Sequence, residues 1–138
     1  MDQRQLSLST RSLENSFMDK SILVVDDDSM IRSLIVNYLV DRGYLVYDSA
    51  DGPHALEVLE RELPSLMLLD LRLIKMSGLD VLKKAKKISP ETLVIMLSGN
   101  QEEGSAKEAI LLGAYYYLTK PVSLEKLQTD ILDRIFDH

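Results

Sequence analysis

Short apolar runs alternate with amphipathic segments along this chain from Ser21 onward, and this order constrains the fold more than any other feature. The apolar runs have the lengths of strands, and the segments between them repeat apolar residues at helical spacing. A strand followed by a helix, repeated five times, predicts an α/β fold with a parallel sheet between two layers of helices. The runs are continuously apolar, as expected where both faces of a sheet are covered. The predicted strands lie at 22–25, 44–47, 66–69, 92–97 and 115–119.

Capping residues predict where several helices begin and end. Asp28 or Ser29 can accept hydrogen bonds from the first turn of the first helix, and Gly43 suits its C-terminal end. Asp51 is the predicted N-cap of the second helix, with Pro53 in its first turn. The remaining predicted helices cover 78–88, 102–113 and the residues after Ser123, the cap of a helix that turns Leu124, Leu127, Ile131 and Ile135 inward.

Length and composition favour one folded domain. A chain of 138 residues with 46% hydrophobic residues can bury a core of its own without disulfides or a structural metal. The polar, weakly patterned residues 1–20 are predicted to be a flexible N-terminal extension, which leaves 21–138 as the domain. The sequence has no cysteine, which excludes a disulfide framework, a thiol nucleophile and a thiolate zinc site.

The charge and hydropathy of the chain limit the classes of partner that it can bind. The net charge of −6 argues against a nucleic-acid-binding domain, and the basic run at 83–87 is interpreted as the solvent-exposed face of a helix. No apolar run approaches the roughly 20 residues that a membrane helix needs. The N-terminus lacks the pattern of a secretory signal. We therefore expect a cytoplasmic protein that binds neither nucleic acid nor membrane.

Polar residues stand at the ends of four predicted strands. Parallel strands bring their carboxyl ends to one edge of the sheet, where open α/β sheets bind ligands. A single strand-terminal Asp is usually only a turn or capping residue, but the combination at separate strand ends favours a functional site. The residues are Asp26, Asp27 and Asp28 after the first strand, Asp70 after the third, Ser98 after the fourth and Lys120 after the fifth.

Carboxylates gathered at one edge require a positive charge. Two like charges about 4 Å apart repel by roughly 4 kcal/mol at an effective dielectric near 20, so such a cluster needs a cation or raised pKa values. Hard oxygen ligands suit Mg²⁺, which often binds through one or two carboxylates together with phosphate. Lys120 can supply a positive charge and Ser98 a hydroxyl group to phosphate oxygens. Asp70 is then a candidate nucleophile that forms an aspartyl phosphate.

Four segments resemble the receiver domain of bacterial two-component response regulators, and the resemblance runs from about Ser21 to Asp137. The chain is most similar in kind to the single-domain, chemotaxis-regulator-like members of that family. The resemblance implies a flavodoxin-like, doubly wound sheet of five parallel strands in the order 2-1-3-4-5. The segments are ILVVDDD at 22–28, LMLLDLRL at 66–73, VIMLS at 94–98 and GAYYYLTKP at 113–121.

The resemblance implies a role for each residue of a metal site. Asp27 would bind Mg²⁺ directly, and Asp26 would help largely through water. Asp70 and the backbone carbonyl of Arg72 would complete the protein ligands. Mn²⁺ can take the place of Mg²⁺ among oxygen ligands of this kind.

The resemblance also implies that Asp70 accepts a phosphoryl group from a histidine kinase or a histidine phosphotransfer protein. Ser98 and Lys120 would contact the phosphoryl oxygens, and the Lys120–Pro121 bond is expected to be cis. Such a domain catalyses only its own phosphorylation and dephosphorylation, so we expect a signalling domain and not an enzyme.

Tyr117 is implied to be the aromatic residue whose rotamer reports activation, because it lies three residues before Lys120. Of Tyr115 and Tyr116, one is expected to pack into the sheet and the other to lie on the surface. A phosphoryl group that draws Ser98 inward would leave space for Tyr117 to turn. The face made by the fourth helix, the fifth strand and the fifth helix would then change shape. We expect this face to bind an unknown downstream protein, in a chain that is a monomer or a weak dimer through the same face.

The loop after the third strand departs from the family pattern at two positions. Ile74 stands where proline is frequent, and Ser77 stands where Asp is frequent. We therefore expect this loop to be less rigid, with Lys75 leaning toward the site.

Two other functions fit part of the pattern. A haloacid-dehalogenase-type phosphatase also uses an Asp nucleophile at a strand end, but its second Asp, two residues later, is replaced here by Arg72. A receiver-like interaction module that works without phosphorylation is the second alternative, although the complete set of site residues argues against a decayed site. A nucleotide or flavin binder lacks support, since the sequence has no Gly-x-Gly-x-x-Gly and no Walker loop.

Overall fold

The computed structural model describes residues 20–99 and 103–136 of the chain. Five parallel strands form one sheet in the order β2-β1-β3-β4-β5, which confirms the predicted fold class and strand order. Nearly all of the predicted extension 1–20, and Glu102 at the predicted start of the fourth helix, lie outside the described residues. The strands are β1 Ser21–Val25, β2 Leu45–Ser49, β3 Leu66–Asp70, β4 Leu93–Ser98 and β5 Tyr116–Thr119.

Five helical segments follow the strands. The last helix, α5, consists of three consecutive stretches, and its middle stretch is π-helical, which the apolar spacing did not predict. The segments are α1 Ser29–Asp41, α2 Gly52–Glu62, α3 Gly78–Ile88, α4 Glu103–Leu111 and α5 with Leu124–Lys126, Leu127–Leu132 and Asp133–Ile135.

The predicted capping residues act as caps. An oxygen of Asp28 accepts hydrogen bonds from the amides of Met30 at 2.9 Å and Ile31 at 3.1 Å, at the start of α1. Asp51 accepts one from the amide of His54 at 2.9 Å, at the start of α2. These side chains satisfy amides that the first turn of a helix leaves without partners. They also fix where both helices begin, next to the carboxyl edge of the sheet.

Opposite faces of the sheet bury two separate hydrophobic clusters. In β1, Leu23 and Val25 point toward α2, α3 and α4, whereas Ile22 and Val24 point toward α1 and α5, and all four are fully buried. Successive side chains of a strand alternate between faces, so a strand covered on both sides must be apolar throughout. This accounts for the continuous apolar runs in the sequence.

Strand β2 lies at Leu45–Ser49 rather than at the predicted 44–47. Tyr44 precedes the strand because its amide donates to the carbonyl of Leu39 in α1, at 3.1 Å, and pairing with β1 begins at Leu45. The ring of Tyr44 is buried against Phe136, with 5.3 Å between the ring centroids. At the other end, pairing of Ser49 with Val25 extends the strand to the edge of the sheet. The polar end of β2 therefore lies beside the acidic end of β1.

Helix α2 ends at an unusual backbone position. Leu63 has a φ of 45° at the C-terminal cap, is exposed to solvent and precedes Pro64. The left-handed conformation is one that a side chain with a β-carbon disfavours.

Among residues 20–99 and 103–136, no helix has the length and apolarity that crossing a membrane requires.

Candidate functional site

Three aspartates meet at the carboxyl edge of the sheet, as the strand order requires. Asp26 and Asp27 follow β1, and Asp70 is the last residue of the adjacent strand β3. One carboxylate oxygen from each lies within 4.8 Å of the others. Asp26 and Asp70 are buried and Asp27 is half-buried. The structure thus brings together the three acidic residues that the sequence singled out.

Lys120 places an ammonium group between two of these carboxylates. Its Nζ lies 3.0 Å from Oδ2 of Asp26 and 2.9 Å from Oδ2 of Asp70. Burial opposes the charged form, but hydrogen bonds to Asp70 and Asp26 outweigh it and raise the pKa of Lys120. The backbone amide of Lys120 donates to the carbonyl of Ser98, and the Lys120–Pro121 bond is cis, as expected. Lys120 is therefore held as a cation at the centre of the cluster.

Burial raises the pKa of the Asp70 carboxyl. The hydrogen bond from Lys120 and one from the backbone amide of Arg72, at 3.1 Å, oppose this shift, while the charge of Asp26 adds to it. The hydrogen bond from the Arg72 amide also fixes the turn that carries the backbone of Arg72 past the Asp70 carboxylate. Asp70 is thus a buried carboxylate whose ionised form depends on nearby positive charge.

Asp26 is engaged at each of its polar atoms. Its amide donates to the carbonyl of Ser49 at 3.1 Å, and its Oδ1 accepts from the amide of Asp28 at 2.9 Å. Its Oδ2 accepts from Lys120, and its carbonyl oxygen accepts from Nη1 of Arg32 at 2.7 Å. Asp26 is therefore fixed by protein donors, which leaves the more exposed Asp27 better placed to contact an ion from solvent.

The sequence interpretation missed Arg32. This residue stands one turn after the cap Asp28 on a helix that begins at the functional edge, and that position could have signalled its role. The Nε of Arg32 forms an ion pair with Asp48 at 3.0 Å, so that the side chain connects α1 with the ends of β1 and β2.

The connection between β3 and α3 is packed tightly against the site. A β-carbon on Gly78 would lie 2.4 Å from the backbone oxygen of Asp70, so only glycine fits here. Ser77 caps α3 by accepting from the amide of Asp80 at 3.2 Å. The expectation that Lys75 leans toward the acidic cluster was wrong, because its ammonium group pairs with the α2 cap Asp51 at 3.4 Å.

Ser98 and Tyr117 lie on the β4–β5 side of the site. Ser98 is buried at the end of β4, and its hydroxyl donates to the carbonyl of Gly99 at 3.0 Å. Tyr117 is half-buried against the cluster on the α2, α3 and α4 side of the sheet. Tyr115 and Tyr116 are both exposed, so the expectation that one of them packs into the sheet was wrong. Strand β5 is an edge strand, and the helices cover its faces incompletely.

The donors at this edge fit a hard divalent cation. Clustered carboxylate oxygens are the ligands that Mg²⁺ prefers, and the half-buried Asp27 leaves room for water in the coordination shell.

Residues 22–132 match the family model of the response regulator receiver domain. The chain belongs to this family.

Receiver domains work through phosphorylation in two-component signalling, and they are signalling domains rather than classical enzymes. Their partners are histidine kinases or phosphotransfer proteins, and they bind Mg²⁺ at a cluster of acidic residues such as the one described above. The alternative of a module that works without phosphorylation is not favoured.

Curated relatives of this receiver domain include short and long regulators. The sporulation initiation phosphotransferase F of Bacillus subtilis is 32% identical over 111 residues, which cover 80% of this chain and 90% of that protein. The alkaline phosphatase synthesis transcriptional regulatory protein PhoP of the same organism is 39% identical over 106 residues. That match covers 77% of this chain but only 44% of PhoP, so the chain spans less than half of that regulator.

Solved structures support the same assignment. A CheY-like response regulator receiver domain protein from Methanospirillum hungatei JF-1 is 33% identical, with a TM-score of 0.80, over 84% of this chain and 93% of that one. A response regulator protein from Burkholderia pseudomallei, solved with a phosphorylated aspartic acid, calcium ion and citrate, is 28% identical with a TM-score of 0.75. That likeness covers 79% of this chain and 64% of the other.

Proposed function

We propose that Asp70 is the phosphoacceptor of this receiver domain, which comprises 21–138. The observation that carries the proposal is the position of Asp70, at the end of the central strand β3, with Lys120 at 2.9 Å and two further carboxylates beside it. In the described part of the chain, Asp26, Asp27 and Asp70 form the cluster of acidic side chains that lie close enough to share a metal ion. A buried carboxylate beside a fixed cation is suited to attack a phosphoryl group.

The reaction transfers the phosphoryl group of a phosphohistidine on a histidine kinase or a histidine phosphotransfer protein. An oxygen of the Asp70 carboxylate attacks phosphorus, a new O–P bond forms, and the P–N bond to the histidine breaks. The imidazole leaves and takes up a proton from solvent. Lys120 then neutralises a phosphoryl oxygen, and the hydroxyl of Ser98 turns from Gly99 to donate to another.

A divalent ion would be held by Asp27 and Asp70 directly, by Asp26 largely through water, and by the backbone carbonyl of Arg72. The engaged oxygens of Asp26 support its indirect role, and the half-buried Asp27 supports a direct one. Mg²⁺, or Mn²⁺ in its place, supplies positive charge that offsets the carboxylates and the phosphoryl oxygens.

The output surface is the face formed by α4, β5 and α5. Tyr117 pairs with Met96, two residues before Ser98 on the adjacent strand, so a shift of Ser98 toward a phosphoryl group would release space for its ring. The face offers exposed apolar groups for a downstream protein or for a weak dimer of this otherwise monomeric chain, and we place the protein in the cytoplasm. The exposed groups are Ile110, Leu111, Tyr115 and Tyr116.

Acetyl phosphate tests the phosphoacceptor directly. With Mg²⁺, the intact mass of the protein should increase by one phosphoryl group, and an Asp70→Asn variant should not gain it. Asp80→Asn is the matched control, because Asp80 lies in the first turn of α3 outside the cluster. Labelling of Asp70→Asn at the wild-type rate would refute the proposal. If Asp70 is labelled as expected, phosphotransfer assays with the host's histidine kinases would identify the natural phosphoryl donor.

A further inference from the structure

An arginine of helix α1 connects the ends of the first two strands beside the acidic cluster. Nη1 of Arg32 donates to the carbonyl oxygen of Asp26 at 2.7 Å, and Nε donates to a carboxylate oxygen of Asp48 at 3.0 Å. The Arg32 side chain is only 19% exposed, and its helix is anchored at the same place by the cap Asp28. The guanidinium is therefore a fixed donor and not a mobile surface charge.

The carbonyl oxygen of Asp26 belongs to the peptide group that links Asp26 to Asp27. A hydrogen bond to this oxygen sets the plane of that peptide, and the plane sets the direction in which the Asp27 side chain leaves the backbone. The amide and the two carboxylate oxygens of Asp26 fix the residue on the N-terminal side of this peptide, through Ser49, Asp28 and Lys120. Arg32 supplies the remaining contact of Asp26.

The charge of Arg32 would by itself oppose a divalent cation at the cluster. Asp48 lies in β2, pairs with the guanidinium and offsets that charge, with its own side chain 52% exposed. A planar guanidinium can hold both acceptors at once, whereas an ammonium group offers a single point charge. The arrangement thus gains orientation from an arginine while limiting its repulsion.

We propose that Arg32 is a positioning residue that orients the Asp26–Asp27 peptide for divalent-metal binding, with Asp48 holding the guanidinium in place. This inference rests on the proposed metal site. Residues around metal ligands that orient them commonly change affinity 10- to 100-fold when they are lost, so we expect Arg32→Met to weaken Mg²⁺ binding by about tenfold. Arg32→Lys should fall between Arg32→Met and wild type, because lysine can reach one acceptor but not both.

The direction in which the Mg²⁺ affinity of Arg32→Met changes distinguishes an orienting role of Arg32 from a purely electrostatic one. If Arg32 acted only as a nearby positive charge, its removal would strengthen Mg²⁺ binding. Calorimetric titration of the metal-free proteins with MgCl₂ measures this directly. Arg61→Met is the matched control, because Arg61 is also ion-paired, with Glu62 at 2.9 Å, but lies at the far end of α2. Unchanged or tighter Mg²⁺ binding by Arg32→Met would overturn the inference.

Amide hydrogen exchange in the absence of metal gives a second readout. The amide of Asp28 donates to Oδ1 of Asp26, so a loosened turn in Arg32→Met should speed its exchange while the amide of Val24 in β1 keeps its wild-type rate. Equal acceleration at both sites would indicate general destabilisation and contradict a local role. Should Arg32→Met fail to fold, Arg32→Lys carries the same two measurements. Neither measurement involves phosphorylation, so failure here is distinguishable from failure of Asp70 as the phosphoacceptor.

Discussion

Lys120 and Asp70, 50 positions apart in the chain, are joined by an ion pair of 2.9 Å at the carboxyl edge of the sheet. The same ammonium group contacts Asp26 at 3.0 Å. One lysine therefore contacts two buried carboxylates, at the ends of β1 and β3, and offsets part of their negative charge. The pair connects β3 with the segment after β5, and it joins the two groups to which we assign roles in phosphoryl transfer.

Lys120→Met should slow phosphorylation strongly. The variant loses the cation that we propose to face the phosphoryl oxygens, and loss of one fixed donor of this kind costs on the order of 100-fold in rate. The rate of mass gain with acetyl phosphate and Mg²⁺ measures the effect. Lys87→Met, which removes an exposed lysine of α3, should react at the wild-type rate. A Lys120→Met rate within a factor of about two of wild type would show that the ammonium group is dispensable.

The raised pKa of Asp70 predicts a pH-dependent gain in stability for Asp70→Asn. A carboxyl with a raised pKa in the folded state favours its protonated form there, so its ionisation destabilises the fold as pH rises through that pKa. Without metal, Asp70→Asn should therefore have a higher melting temperature than wild type at neutral pH. The difference in melting temperature should shrink as the pH falls toward 3.8, the ordinary pKa of an aspartate carboxyl.

Thermal unfolding from pH 7 downward, in a metal-free buffer, measures this dependence. Asp41→Asn removes the same charge from an exposed position at the opposite end of α1 and is the control. A lower melting temperature for Asp70→Asn at neutral pH would mean that the ion pair with Lys120 outweighs the cost of burying the carboxylate.

Gly78→Ala should destabilise the protein by about 1–3 kcal/mol through overpacking. The new β-carbon would lie 2.4 Å from the backbone oxygen of Asp70 and 2.6 Å from Cα of Leu71, and backbone atoms cannot move aside without displacing β3. Gly99→Ala is the matched control, since nothing lies within 4 Å of a β-carbon there. Urea denaturation gives the free energy of unfolding, and equal values for the two variants would contradict the close approach.

Leu63→Gly should be more stable than Leu63→Ala by about 1 kcal/mol, the reverse of the usual order in helices. Both substitutions remove the same exposed side chain, but alanine keeps the β-carbon that disfavours a φ of 45°. The comparison therefore isolates backbone strain at the end of α2. Denaturant midpoints for the two variants measure it, and a more stable alanine variant would show that the left-handed conformation carries no cost.

The sequence was informative wherever one local rule dominated. Fully buried strands produced continuous apolar runs, and the caps Asp28 and Asp51 were predicted because few residue types can accept hydrogen bonds from a first turn. The meeting of Asp26, Asp27 and Asp70 followed from the parallel sheet alone, since such strands end at a common edge.

Features that depend on contacts between distant segments were not predictable. Lys75 was expected near the acidic cluster, but Asp51 offers a carboxylate on the neighbouring helix, and sequence spacing cannot rank two such partners. The position of Arg32, one turn after the cap Asp28, was a local signal, but its partner Asp48 in β2 was not, since no local pattern connects the two. The positive φ of Leu63 is likewise imposed by its surroundings, because leucine has no preference for it.

Helix α5 of this chain contains one residue more than a regular α-helix would need over the same turn. A π-helical turn accommodates one residue more than an α-helical turn, and the stretch Leu127–Leu132 holds that residue while Leu127, Ile131 and Phe136 all stay in the core. A chain shortened by one exposed residue here could return to a regular α-helix and still bring its last turn against Tyr44. We therefore expect helical winding to absorb a one-residue deletion at this point.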